Sequence, residues 1–258
     1  MLVSLLADYD RRVDARRTLK LHVVGCSPAW PNPGGAQSGY VLEGSGRLLM
    51  DCGPGVLARL RDEEGWPRVD AIAITHFHLD HWGDLVPWVW GSLYGLGHDL
   101  PRVKLWLSPT GAQQLSEFGE RLGWPDMFER VFDLQSYEEG KAFQAAGFEV
   151  LPIRLPHYTL ETYGFRVTNG DKTLAYSGDS GPSDQLAELA RDADLFVCEA
   201  TLLTGDADGQ PRGHLSLDEV QTAFDASGAK RLLITHRPHE LPTKDGYELA
   251  YDGLDIEV

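Results

Sequence analysis

Thr75-His76-Phe77-His78-Leu79-Asp80-His81 follows the apolar stretch Val69 to Ile74, and this run decides both the fold and the chemistry. The stretch before it is short and β-branched, which predicts a buried strand. On extended backbone leaving a strand, side chains at i and i+2 point the same way, so His76 and His78 can bind one metal. Asp80 and His81 come as the chain turns into a helix, and their different direction suits a second metal nearby. Imidazole and carboxylate donors without a thiolate favour zinc, with manganese or iron as alternatives. A single histidine reads as a packed or surface residue. Three histidines and an aspartate within six positions at a strand end read as a metal site.

Working outward, Leu85, Val86, Val89, Trp90 and Leu93 recur at helical spacing after the run, and Val103 to Leu107 reads as a strand. Upstream, strands are predicted at Leu19 to Val24, Gly39 to Glu43 and Arg47 to Met50, the last two flanking Gly44-Ser45-Gly46. Asp51-Cys52-Gly53-Pro54-Gly55 then opens a helix carrying Val56, Leu57 and Leu60 on one face. Downstream, Phe148 to Leu155, Tyr163 to Val167, Thr173 to Tyr176, Leu195 to Val197 and Leu232 to Ile234 read as strands. Helices fit Asp184 to Arg191 and Leu217 to Ala226, the latter with the capping box Ser216 to Glu219 and a stop at Gly228. Strands and helices are mixed throughout, with hairpins early in each half. That pattern favours a layered α/β (α+β) sandwich over a doubly wound parallel fold.

The chain has 258 residues, 42% of them hydrophobic, enough to bury one large core. No low-complexity linker or solenoid repeat divides it, so one domain over residues 1–258 is expected, with residues 1–18 an N-terminal extension. Met1 to Ala7 is apolar but short and flanked by acidic residues and arginines. It reads as a short appended helix rather than a signal peptide or membrane span. The formal charge is −16, from 39 acidic and 23 basic residues. Such a surface repels a polyanion, which argues against extended nucleic acid as a partner, while a metal can reverse the field locally for a small anion. Cys26, Cys52 and Cys198 form no C-x-x-C pair and leave an odd count, which suits a reducing cytoplasm.

A metal site needs further ligands, and three candidates stand at predicted strand ends, where sites gather in α/β proteins. His157 follows Phe148 to Leu155. Asp179 follows Thr173 to Tyr176 in Ser177-Gly178-Asp179, where glycine permits close backbone approach. His236 follows Leu232 to Ile234.

With these motifs in order, the chain resembles the metallo-β-lactamase superfamily, whose H-x-H-x-D-H motif is matched by His76, His78, Asp80 and His81. The resemblance runs from about Leu19 onward and implies an αββα sandwich of two similar halves. It implies that His76, His78 and His157 hold one metal, that Asp80, His81 and His236 hold the other, and that Asp179 bridges them. Glu199-Ala200-Thr201 and Gly213-His214-Leu215-Ser216 are similar to motifs of the RNase Z branch. There the glutamate orients a histidine that protonates the leaving group, which makes Asp80, His214 and Glu199 the expected catalytic residues. A carboxylate beside an imidazole raises its pKa, which suits proton donation near neutral pH. Cys198 stands where the family often has histidine, which leaves the role of that position open.

RNase Z enzymes grip tRNA with a long arm inserted between the third ligand and the bridging aspartate. His157 and Asp179 are only 22 positions apart here, too few for such an arm. The arm-less relatives include bacterial phosphodiesterases that open cyclic nucleotides, and Ala175 to Thr201 looks especially like that group. The resemblance therefore implies a small phosphodiester substrate, two divalent ions and a homodimer. A tRNA 3′-processing nuclease, a lactonase or thioesterase on the same metals, and a binding protein without turnover rank below it. Trp82, Trp88 and Trp90 share helical spacing and are expected in the core. The loop Pro28 to Gln37, with Trp30, is expected to wall the pocket.

Overall fold

Period-two alternation decides which way each strand faces. In β2 (Gly39–Glu43) and β3 (Arg47–Met50), Tyr40, Leu42, Leu48 and Met50 enter one buried cluster, while Val41 and Leu49 enter another. A strand apolar on both faces must be covered on both. The computed structural model describes residues 19–243 and 245–258, and the expected N-terminal helix lies outside them.

The first sheet has the spatial order β14 (Leu254–Glu257), β1 (Lys20–Gly25), β2, β3, β4 (Ala71–Ala73), β5 (Val103–Leu107) and β6 (Phe132–Ser136). Pairing is antiparallel from β14 to β3 and parallel from β3 to β6. The second sheet runs β13 (Glu248–Leu249), β12 (Leu232–Thr235), β11 (Leu195–Glu199), β10 (Thr173–Tyr176), β9 (Thr162–Thr168), β8 (Phe148–Leu155) and β7 (Phe143–Ala145). It is parallel from β13 to β10 and antiparallel from β10 to β7. Each sheet thus joins a meander to a parallel run, which makes the two halves alike.

Between the sheets lie Leu21, Tyr40, Met50, Phe148, Phe165, Tyr176 and Val197, all buried. The outer face of the first sheet packs Ile72 and Leu105 against α1 (Val56–Glu64), α2 (Leu79–Trp82), α3 (Leu85–Tyr94) and α4 (Gly111–Arg121). Phe196, Cys198 and Ile234 cover the outer face of the second against α5 (Asp184–Leu189) and α6 (Leu217–Ser227). The result is the layered αββα sandwich. Ser216 and Glu219 complete the expected capping box of α6, and Gly228 ends it at φ 71°.

Sequence patterning missed β6, β7, β13, β14 and α4. β7 and β13 are only three and two residues long, too short for a period to register. In α4 the buried side is carried by Gly111, Leu115 and Gly119, so little apolar signal remains. The strand expected at Val69 to Ile74 contracts to Ala71–Ala73. Cys198 sits in the helix-side cluster, so its side chain packs away from the histidines.

Candidate metal centre

The parallel strands end at one rim of the sandwich, and the polar residues predicted at strand ends meet there. Thr75 leaves β4 with its N–H donated to Asp51 Oδ1 at 2.8 Å, which fixes the backbone just before His76. One turn of helix, α2, then carries Asp80 and His81, both buried. Gly178 takes φ +57°, and a Cβ there would stand 3.1 Å from the Thr75 side chain, so a glycine lets the Asp179 loop close over the histidine run. His236 also adopts a positive φ, 51°, which turns its ring inward after β12.

Two groups form. His76, His78, His157 and Asp179 make one, and Asp80, His81, Asp179 and His236 make the other. In each, one ligand atom per residue lies within 4.8 Å of all the others. Asp179 belongs to both. Its Oδ2 lies 3.8 Å from His76 Nε2 and 3.9 Å from His157 Nε2. Its Oδ1 lies 3.3 Å from His81 Nε2 and 3.5 Å from His236 Nε2. Asp80 Oδ2 lies 3.1 Å from His236 Nε2 and 3.4 Å from His81 Nε2.

The far side of most rings is held from behind. His81 Nδ1 lies 2.7 Å from Asp51 Oδ2, His157 Nδ1 2.6 Å from Gly213 O, His236 Nδ1 2.9 Å from Thr201 Oγ1, and His76 Nδ1 3.1 Å from Thr75 Oγ1. A ring that donates Nδ1–H outward presents the Nε2 lone pair inward, the form a metal binds. His78 is turned the other way, with Nδ1 2.9 Å from His157 Nε2.

Charge is divided between the groups. Burial, reinforced by the neighbouring imidazoles, pushes His76 and His78 below the usual histidine range, and burial does the same to His157. These rings are therefore neutral donors at neutral pH. On the other side burial opposes charge, but Asp179, Asp51 and Asp80 together raise His81 well above its ordinary value. Asp80 and Asp179, buried beside histidines, are held below the usual carboxylate range. That half is electronegative and favours a cation.

A cation also resolves an orphan problem. His76 Nε2, His81 Nε2 and Asp179 Oδ1 are buried and make no hydrogen bond among the described residues. Buried polar atoms are rarely left so unless something coordinates them. Imidazole and carboxylate donors converging without thiolate fit a divalent ion of the zinc type.

A third group adjoins these two. Glu199, fully buried, places Oε1 2.8 Å from His214 Nδ1, and His214 lies with its ring centroid 5.8 Å from His236 and 5.0 Å from His157. Glu199 is itself fixed: it accepts the Ser180 N–H, the Thr201 N–H and the Thr201 hydroxyl. Burial works against charge on His214, yet Glu199, with Asp179 and Asp208, raises it to about 9.

Residues 46–237 match the family model of the beta-lactamase superfamily domain. The chain belongs to the metallo-β-lactamase superfamily. An uncharacterized protein of Mycobacterium leprae is 33% identical over 236 residues, covering 86% of this chain and 78% of its own. The probable metallo-hydrolase YhfI of Bacillus subtilis is 30% identical over 227 residues, 86% of this chain and 88% of its own. Its crystal structure superposes with a TM-score of 0.80 over 93% of this chain and all of that one, at 24% identity. Ribonuclease Z of Mycobacterium bovis BCG is 26% identical over 244 residues, 84% of this chain and 85% of its own. A metallo-hydrolase with an RNase Z-like relationship follows, together with metal binding by a His/Asp cluster.

In this member of the superfamily every expected residue reaches the rim: His76, His78, Asp80, His81, His157, Asp179, His236, Glu199 and His214. Asp51, Thr201, Tyr158 and Asp208 were not read from sequence as part of the site. Asp51 accepts from His81, from Tyr176 Oη at 2.8 Å and from Thr75, at φ 58°. Asp51, in Asp51-Cys52-Gly53-Pro54, reads as part of a helix opener, and only the fold shows what it faces. Trp82 and Trp88 are core residues as expected, but Trp90 is 39% exposed and stacks on Tyr94. Trp30 is also exposed, and its loop neighbours Asn32 to Gly35 line a cavity of about 470 Å³ that no candidate ligand enters.

Proposed function

We propose that this protein is a dinuclear metal-dependent phosphodiesterase acting on small phosphodiesters such as cyclic nucleotides. The observation that carries the reading is the buried Glu199 carboxylate set 2.8 Å from His214 Nδ1, beside the ligand clusters. A proton donor so placed serves a reaction whose leaving group is a poor one, such as a sugar alkoxide. Lactone or thioester hydrolysis on the same metals has less need of it.

In this reading His76, His78 and His157 would hold one ion and Asp80, His81 and His236 a second, with Asp179 shared between the two groups. Divalent ions bound there would supply Lewis-acid chemistry for a water and for the phosphoryl oxygens. The residues of the chain do the rest. Asp51, Gly213 and Thr201 fix the rings of His81, His157 and His236 from behind, which orients these three donors toward the centre. Asp80 can take a hydrogen bond from the attacking water. His214, protonated near neutral pH and steered by Glu199, hands its proton to the departing oxygen.

A small substrate is favoured over tRNA. From His157 to Asp179 the chain forms the hairpin of β9 and β10, with no room for an inserted arm. The charge of −16 opposes a polyanion. The similarity to ribonuclease Z keeps tRNA 3′ processing as the second reading. A substrate panel on the metal-loaded protein separates them: a cyclic nucleotide, bis(p-nitrophenyl) phosphate, a precursor tRNA and a lactone. Cleavage of the cyclic nucleotide is expected. Cleavage of the precursor alone favours the nuclease, and of the lactone alone overturns both readings.

A further inference from the structure

We infer that Tyr158 and Asp208 form a latch that sets the position of His214. The kinetic consequence rests on the phosphodiesterase reading above, whereas the geometry does not. Tyr158 follows His157 directly and adopts φ +49°, a backbone that bulky residues rarely take. Such a conformation persists where surrounding contacts hold it. Here the Tyr158 N–H donates to Arg212 O at 3.1 Å, and its hydroxyl donates to Asp208 Oδ1 at 3.1 Å.

The other oxygen of Asp208 accepts two backbone N–H groups, from Gly213 at 2.7 Å and from His214 at 3.0 Å. One carboxylate therefore ties the end of β8 to the two residues that carry the acid. The fit is steric as well. A Cβ on Gly213 would stand 2.3 Å from Tyr158 Cε2, so ring and strap interlock only with glycine there. Gly213 O is the same carbonyl that holds His157 Nδ1. The Tyr158 ring meets the His214 ring edge-on, with centroids 5.7 Å apart. On the opposite side Arg212 pairs with Glu219 and donates to His214 O at 3.0 Å.

The His214 ring is thus fixed at Nδ1 by Glu199, and its backbone is fixed by Asp208 and Arg212. Tyr158 is 37% exposed, so its hydroxyl bond lies at the rim, in contact with water. Exposed hydrogen bonds of this kind add little to folding but still restrict where a group can sit. Tyr158 and Asp208 are positioning residues in this account.

The test uses the full-length, metal-loaded protein and two esters: a cyclic nucleotide, with an alkoxide leaving group, and bis(p-nitrophenyl) phosphate, with a phenoxide. Acid catalysis matters most for the poorer leaving group, so Tyr158→Phe should lower kcat about tenfold more on the cyclic nucleotide than on the aryl ester. KM should move far less than kcat. Equal loss on both esters, or loss on neither, overturns the latch. A readout independent of substrate is amide hydrogen exchange across residues 205–214, which should quicken in Tyr158→Phe and more so in Asp208→Ala. Unchanged exchange also overturns it. Should the wild type cleave neither ester, the phosphodiesterase reading falls, while the exchange measurement still decides the latch.

Discussion

Glu199 Oε1 lies 2.8 Å from His214 Nδ1, and the glutamate is completely buried while the histidine reaches the rim beside His157 and His236. A buried carboxylate with five protein donors around it is expensive to assemble. Its effect here is to fix one imidazole and keep it charged.

His214→Ala therefore leaves metal content unchanged and lowers turnover of a cyclic nucleotide by ~10²–10⁴-fold, the usual worth of a positioned general acid. Elemental analysis and steady-state kinetics on the same preparation check both halves. Undiminished turnover removes His214 from the reaction.

The pH profile carries a matching signature. His214 must be protonated to donate, so the rate is present below its pKa and is lost as pH rises through it. Glu199, Asp179 and Asp208 lift that value to about 9, and bound cations draw it back down. The alkaline limb of kcat then falls somewhat below pH 9, and it disappears in His214→Ala. An alkaline limb that survives the substitution belongs to another group.

Asp179 faces His76 and His157 with one oxygen and His81 and His236 with the other. Asp179→Ala should lose bound metal, and retention of two ions per chain would end the bridging role.

Asp51 touches no ion in this account yet anchors His81 through Nδ1 at 2.7 Å. Removing a partner of this kind typically weakens metal binding by ~10–100-fold. Asp51→Asn is expected to show that loss in a chelator competition. An unchanged affinity would mean that His81 is oriented by its own packing.

Much of this site was legible in the sequence because its chemistry is local. His76, His78, Asp80 and His81 lie in one run, and Asp179, His236 and His214 each follow a recognisable strand or precede a capping box. Asp51, Thr201 and Tyr158 were not, because each acts through a partner far along the chain, 30 positions in the case of Asp51 and His81. No local period encodes such a contact. The central strands were legible for a similar reason: their two apolar faces demand two covers. β7 and β13 are too short for alternation, and helical spacing alone placed Trp90 in a core that it does not join. α3 buries Leu85, Trp88 and Val89, and Trp90 points outward to Tyr94 and Trp124.

The central claim meets its most direct test in a metal titration of the chelator-stripped protein, with cyclic-nucleotide hydrolysis followed at each addition. The account predicts that turnover rises with added zinc and saturates at two ions per chain, one for each donor group around Asp179. Saturation with metal but no phosphodiester cleavage, or full activity with a single ion, would contradict it.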